Sequence, residues 1–213
     1  MGLARDNPEE LIERLLVHAV FDGWNWAALE AAGEDIRLGR EEVKALAPKG
    51  PRDIVAAFND LADRRMIREF ERQDAGSLPV RERIAAAVRI RLEQNEPHKE
   101  ALWKLLSFLA LPGHAGLSAK CTYRTVDAIW RAAKDTSTDF NFYTKRGLLA
   151  GVYGSTVLYW LSDTSDSHQE TWAFLDRRIA NVLKIPKVNA IIGKRVSRLP
   201  SPFRLLNSMI ARP

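Results

Sequence analysis

Residues 8–48 read PEELIERLLVHAVFDGWNWAALEAAGEDIRLGREEVKALAP, and their punctuation decides the fold class. Asn7 stands before Pro8-Glu9-Glu10, a helix start with Asn7 as cap, Pro8 at the first position and acids in the first turn. Leu11, Leu15, Leu16 and Ala19 then share one face, the spacing of an amphipathic helix. Gly23 breaks the run, and short helices are predicted over 26–32 and 40–46. One long helix followed by two short ones predicts a three-helix head.

Outward from the head, almost every segment between Pro or Gly breaks keeps helical period, and none alternates like a strand. Longer helices are predicted over 51–74 and 80–95. Pro97 and Leu117 open two more, the first stopping before Pro112-Gly113 and the second carrying Tyr123, Val126, Ile129 and Trp130. Ser137-Thr138-Asp139 caps a helix to about 161, and Ser165-Asp166 caps one to about 183. A linker with Pro186, Gly193 and Pro200 leads to a last short helix near 202–211. The expectation is an all-α bundle of nine to ten helices, divided into a head (1–50), a bundle (51–184) and a basic linker with an amphipathic helix (185–213).

The chain has 213 residues and a net charge of +5, distributed very unevenly. From Arg177 to Pro213 there are nine Lys or Arg and no acid, leaving 23 basic residues against 27 acidic elsewhere. The head alone holds six basic against ten acidic residues, so the tail is what makes the chain basic. No apolar run approaches the roughly 18 residues of a membrane-spanning helix. Acids in the first residues argue against a signal or transit peptide, and Asp6 stands where a myristoylation signal needs Ser or Thr. A cytoplasmic location is the resulting expectation.

The sequence offers little catalytic chemistry. His18, His98, His114 and His168 lack the paired spacing that sets two ligands on one helical face, and there is no HExxH or ExxH. No GxGxxG or GxxxxGK[ST] precedes a helix. Asp163, Asp166 and His168 fit a metal loop on paper, but Ser, Asp and Thr before a helix are what capping requires. Cys121, the single cysteine, reads as buried and inert. No enzyme activity, metal or cofactor is expected. Gly147, Gly151 and Gly154 interrupt one helix, each costing about 1 kcal/mol relative to Ala. Either a neighbouring helix approaches there, within the chain or across a dimer, or a ligand needs the room.

The head has the rhythm of the N-terminal domain of TetR-type repressors, which it resembles. Yet the first turn of the would-be reading helix is Arg40-Glu41-Glu42, in a segment of net −4 that a polyanion would repel. No nucleic-acid partner is expected; a ligand-responsive transcriptional regulator is the alternative function.

A stronger resemblance lies further on. Asp135-Thr136-Ser137-Thr138-Asp139-Phe140-Asn141-Phe142-Tyr143-Thr144-Lys145-Arg146, then Leu149-Ala150-Gly151-Val152-Tyr153 and Thr171-Trp172-Ala173-Phe174-Leu175-Asp176-Arg177-Arg178, resemble the ubiquinone-biosynthesis lipid-binding accessory proteins, which have a TetR-like fold. Without the presequence of mitochondrial members, the chain looks like a bacterial one. The resemblance implies a non-catalytic homodimer that binds a polyprenylated quinone precursor, or another lipid, and presents it to the demethoxyubiquinone hydroxylase. It also implies a docking corner at Asn141, Phe142, Tyr143 and Arg146. Phe140, Phe142 and Tyr143 crowd one turn and cannot all face a core; either one is exposed for docking or Phe140 and Tyr143 staple the helix start. Candidates for the lipid-binding wall are Trp103, Leu106, Leu109, Trp130, Leu148 and Val152.

In the tail, Phe203, Leu205, Leu206, Met209 and Ile210 occupy one arc of a helical wheel, with Arg204 and Arg212 on the polar side. That is the pattern of an interfacial helix, placing the protein peripherally on an anionic inner-membrane surface. Packing of the same arc onto the protein's own core is the other reading.

Overall fold

The computed structural model describes residues 8–134 and 140–196, with side chains described over 8–134 and 144–182. The described residues form nine α-helices and no strand: α1 (Pro8–Asp22), α2 (Trp26–Asp35), α3 (Arg40–Leu46), α4 (Pro51–Arg72), α5 (Val80–Glu93), α6 (Lys99–Leu109), α7 (Ala115–Ala132), α8 (Phe140–Ser162) and α9 (Gln169–Val196). The all-α expectation therefore holds. Asn7, the Ser137-Thr138-Asp139 cluster and the helix expected near 202–211 lie outside the described residues.

The helix starts follow local chemistry. Asn25 caps α2, its Oδ1 accepting the Ala28 N–H at 2.9 Å. Glu42 Oε2 accepts the Gly39 N–H at 2.7 Å, fixing the start of α3. Gly50 has φ +64 just before Pro51 opens α4, and a Cβ at Gly50 would lie 2.5 Å from the Trp26 indole. Close approach and a left-handed backbone thus both require glycine there.

α1 buries Leu11, Ile12, Leu15, Leu16 and Ala19 against α2, α4 and α6. The head is sealed to the bundle by Trp24. Its ring lies 5.8 Å from that of Phe58 on α4, and its Nε1–H donates to the Ala101 carbonyl of α6 at 2.9 Å. α4 serves both halves of the molecule. Ile54, Val55, Phe58 and Leu61 belong to the core under α1–α3, whereas Met66 and Phe70 belong to the core formed with α5, α7, α8 and α9. Full burial of each large aliphatic or aromatic side chain contributes about 1.5–3 kcal/mol, so this helix is the spine on which both cores assemble.

One boundary differs from expectation. α9 continues through Pro186 to Val196, where the sequence reading ended the helix near 183. A single proline removes one backbone N–H and kinks a helix, but the turns on either side keep their bonds.

The turn between α8 and α9 is organised by Asp163. Its carboxylate accepts the Ser165 N–H at 2.8 Å, the Thr171 N–H at 3.0 Å and the Thr171 hydroxyl at 2.5 Å. This is the capping role read from the sequence, with Asp163 rather than Ser165 carrying most of it. Burial pushes the Asp163 carboxyl up, but the hydrogen bonds from Thr171 and Ser165 outweigh it and hold the group well below the usual carboxylate range. Because the folded state holds the ionised form, this stabilisation is fully present above the unfolded aspartate pKa near about 3.9 and is lost as pH falls through the depressed value. Asp163→Ala is expected to destabilise the protein by about 2 kcal/mol at neutral pH, measured by urea unfolding. The deficit should narrow when the same titration is run at pH about 3 or below.

Candidate functional site

A largely apolar cavity of about 140 Å³ lies where α4, α5, α6, α7 and α8 meet. α6 supplies Leu102, Leu105, Leu106 and Leu109; α4 adds Val55 and Phe58, and α8 adds Val157 and Trp160. One side of the lining is polar, with Asn59, Arg91, Asn95 and Tyr153.

The polar side rests on a buried network. Asp63 on α4 accepts from Arg91 Nε at 3.0 Å, from the Thr125 hydroxyl at 2.9 Å and from Asn59 Nδ2 at 3.0 Å. Asn59 Nδ2 also reaches the Cys121 carbonyl at 3.4 Å, and Asn95 Nδ2 donates to the Arg91 carbonyl at 2.6 Å. The Arg91 and Asp63 side chains are only 5% and 9% exposed. Burial raises the Asp63 carboxyl, and Arg91 and Thr125 oppose that by favouring the carboxylate. Burial likewise raises the Tyr153 phenol and the Cys121 thiol, so both stay protonated at neutral pH.

Three of the expected wall residues come together here and three do not. Leu106 and Leu109 line the cavity. They also line, with Trp103, Ser118 and Leu158, an open vestibule of about 390 Å³ on the outer side of α6. Trp130, Leu148 and Val152 instead face a separate apolar space of about 80 Å³ between α5, α7, α8 and α9, with Ile84, Leu149, Ile179 and Val182. Helical period finds apolar faces; it does not tell which of two cavities a face meets.

Sequence reasoning missed Asn59, Asp63, Arg91, Asn95 and Tyr153 as a group. A signal was present: Ile84, Ala87, Val88 and Arg91 follow i, i+3, i+4, i+7 spacing, putting a cation on the buried stripe of α5. A charge at such a position requires a buried partner.

At the expected docking corner, the side chains of Asn141, Phe142 and Tyr143 lie outside the described residues, though all three fall in the first turn of α8. Arg146 departs from the exposed position that docking implies. It is buried, its Nε and Nη2 meeting Asp127 Oδ1 at 2.9 and 2.8 Å, and it straps α8 to α7 from below. A planar guanidinium paired to a carboxylate at low exposure is a strong positioning contact. Gly147, Gly151 and Gly154 meet no helix of this chain: a Cβ at any of them finds no described atom within 4 Å. Gly154 borders the main cavity, and the other two are exposed.

The head has no spare cations on its third helix. Arg40 pairs with Glu30 at 2.8 Å and Lys44 with Glu41 at 2.9 Å. The histidines have single partners of the ordinary kind: His18 with Asp35, His98 with Glu13, His114 with the Phe108 carbonyl. His168 bonds Glu96 at 2.7 Å. Among the described residues no cluster of His, Cys, Asp and Glu could hold a metal, and no helix is long and apolar enough to cross a membrane.

Comparison with known proteins agrees with the resemblance read from the sequence. Residues 115–186, which span α7, α8 and the first part of α9, match the COQ9 family model. The chain is 27% identical over 191 residues to the mitochondrial ubiquinone biosynthesis protein COQ9 of Homo sapiens, covering 84% of this chain and 60% of that protein. It is 36% identical over 126 residues to the probable COQ9 of Dictyostelium discoideum, covering 59% and 41%, and 30% identical over 186 residues to COQ9 of Drosophila melanogaster, covering 83% and 55%. The chain thus spans 60% or less of the length of these relatives. Among solved structures, a TetR transcriptional regulator from Nitrosomonas europaea superimposes with a TM-score of 0.67 at 20% identity, over 83% of this chain and 97% of that one. The fold is TetR-like.

Proposed function

We propose that this chain, a relative of the COQ9 proteins, is a non-catalytic accessory protein of ubiquinone biosynthesis that binds a polyprenylated quinone precursor and presents it to the demethoxyubiquinone hydroxylase. The observation that carries the reading is the apolar cavity with its vestibule, in a fold whose described titratable groups are engaged in pairs and caps. An isoprenoid lipid matches a leucine-lined space opening beside exposed Trp103 and Leu158. The paired cations of α3 weigh against a DNA-binding regulator, because phosphate contacts need free Lys or Arg. Organic extraction of natively purified protein, followed by mass spectrometry, tests the reading. A prenylated aromatic lipid is the expected product; extracts without any prenyl lipid count against it.

Two surfaces complete the proposal. The first turn of α8, with Asn141, Phe142 and Tyr143, meets the hydroxylase, while Arg146 holds that turn on α7. The double change Phe142→Ala with Tyr143→Ala is then expected to weaken co-purification of the hydroxylase while leaving the melting temperature within a few degrees. Arg146→Met acts differently, lowering stability by about 3 kcal/mol through the broken buried pair. An intact complex in the double variant removes this turn from the contact.

The basic tail, through Phe203, Arg204, Leu205, Leu206, Met209 and Ile210, supplies peripheral attachment to an anionic inner-membrane surface. Truncation before Ser201 is expected to reduce sedimentation with vesicles containing phosphatidylglycerol by tenfold or more in low salt. Unchanged sedimentation would sink the anchor.

A further inference from the structure

We infer that the polar side of the cavity is a seat for a neutral, oxygen-bearing ring, which enters ring first and leaves its apolar chain in the vestibule between α6 and α8. The inference rests on the lipid-binding reading and deepens it by fixing which end of the ligand goes where and what head-group chemistry is accepted.

The first observation is Arg91. Its Nε–H is taken by Asp63, and its side chain is 5% exposed, yet its two terminal amino groups have no hydrogen-bond partner among the described residues. Arg91 itself lines the cavity, so these N–H groups are available to a ligand oxygen there. A guanidinium buried beside leucines with unused donors is costly unless something accepts from it. Tyr153, on the opposite wall, adds a phenol that burial keeps protonated.

Charge selects the class of head group. Asp63 already neutralises Arg91, and its oxygens are taken up by Arg91, Thr125 and Asn59. The seat is therefore rich in donors but carries no net charge. A phosphate placed here would add one or two negative charges next to Asp63 in a low-dielectric interior, with no second cation on the lining to offset them. A quinone carbonyl, phenol or methoxy oxygen accepts the same N–H groups and brings no charge to be desolvated.

Size fixes the orientation. A cavity of about 140 Å³ is on the scale of the roughly 150 Å³ engineered space that takes up a single benzene. One substituted ring fits; an isoprenoid chain does not. Leu106, Leu109 and Ser118 line both the cavity and the 390 Å³ vestibule, so these residues mark the mouth through which the chain would pass.

The test is calorimetric titration of the delipidated full-length protein with three probes of equal tail length. These are a decyl-substituted dimethoxybenzoquinone, decylbenzene and decyl-chain lysophosphatidylglycerol. The quinone should bind at least tenfold tighter than either of the others. Arg91→Lys keeps a cation for Asp63 but removes the forked donors, and should cost the quinone tenfold while changing decylbenzene less than twofold. Tyr153→Phe, which preserves shape, should weaken the quinone alone and covers the case in which Arg91→Lys fails to fold. Equal affinity for quinone and decylbenzene, or quinone binding unchanged in both variants, overturns the polar seat and leaves the lipid cavity standing. Preference for the phospholipid analogue overturns the charge argument. Failure of all three probes to bind overturns the lipid-binding reading as well.

Discussion

The contact on which the rest of this molecule depends is the buried pair of Asp63 and Arg91. It joins α4 to α5, and through Thr125 and Asn59 it extends to α7, so three helices are registered at one point. Desolvating two opposite charges is expensive, and such a pair persists only when its remaining lone pairs and N–H groups find partners. Here the carboxylate is fully occupied while the guanidinium is not, which leaves the polarity of the cavity to one residue.

α4 carries that contact because it is long enough to belong to both cores. Its first half packs under the head and its second half inside the bundle. The Trp24 hydrogen bond to Ala101 then binds α6, the most leucine-rich wall of the cavity, to the head. The head thus buttresses the ligand-binding wall, a role that needs no nucleic acid and tolerates acidic residues on α3. The same TetR-like scaffold serves a regulator in Nitrosomonas europaea. A fold supplies the chamber, and side chains on its surface and lining decide what it is used for.

α8 shows how one helix serves several tasks by face. Arg146 anchors its start to α7, Tyr153, Val157 and Trp160 line the cavity, and Leu158 stands at the vestibule. Gly147 and Gly151 lie on the outward side, where no helix of this chain approaches. Glycine in a helix interior loses backbone entropy. Contacts within the chain therefore give no account of these two positions.

The sequence by itself determined the helix class, most helix boundaries and the charge division between acidic head and basic tail. Those features are local: caps, prolines and 3.6-residue periodicity act within a few residues, as at Asn25, Pro51 and Asp163. It also carried the family likeness, because the matched segment is contiguous. Only the tertiary structure decided which apolar faces share a chamber, parting Trp103, Leu106 and Leu109 from Trp130, Leu148 and Val152. Only it turned Arg146 inward and paired Arg91 with a carboxylate 28 positions away. The period of a helix tells which residues face a neighbour, but the neighbour's identity depends on how nine helices cross, and that is a property of the packed whole.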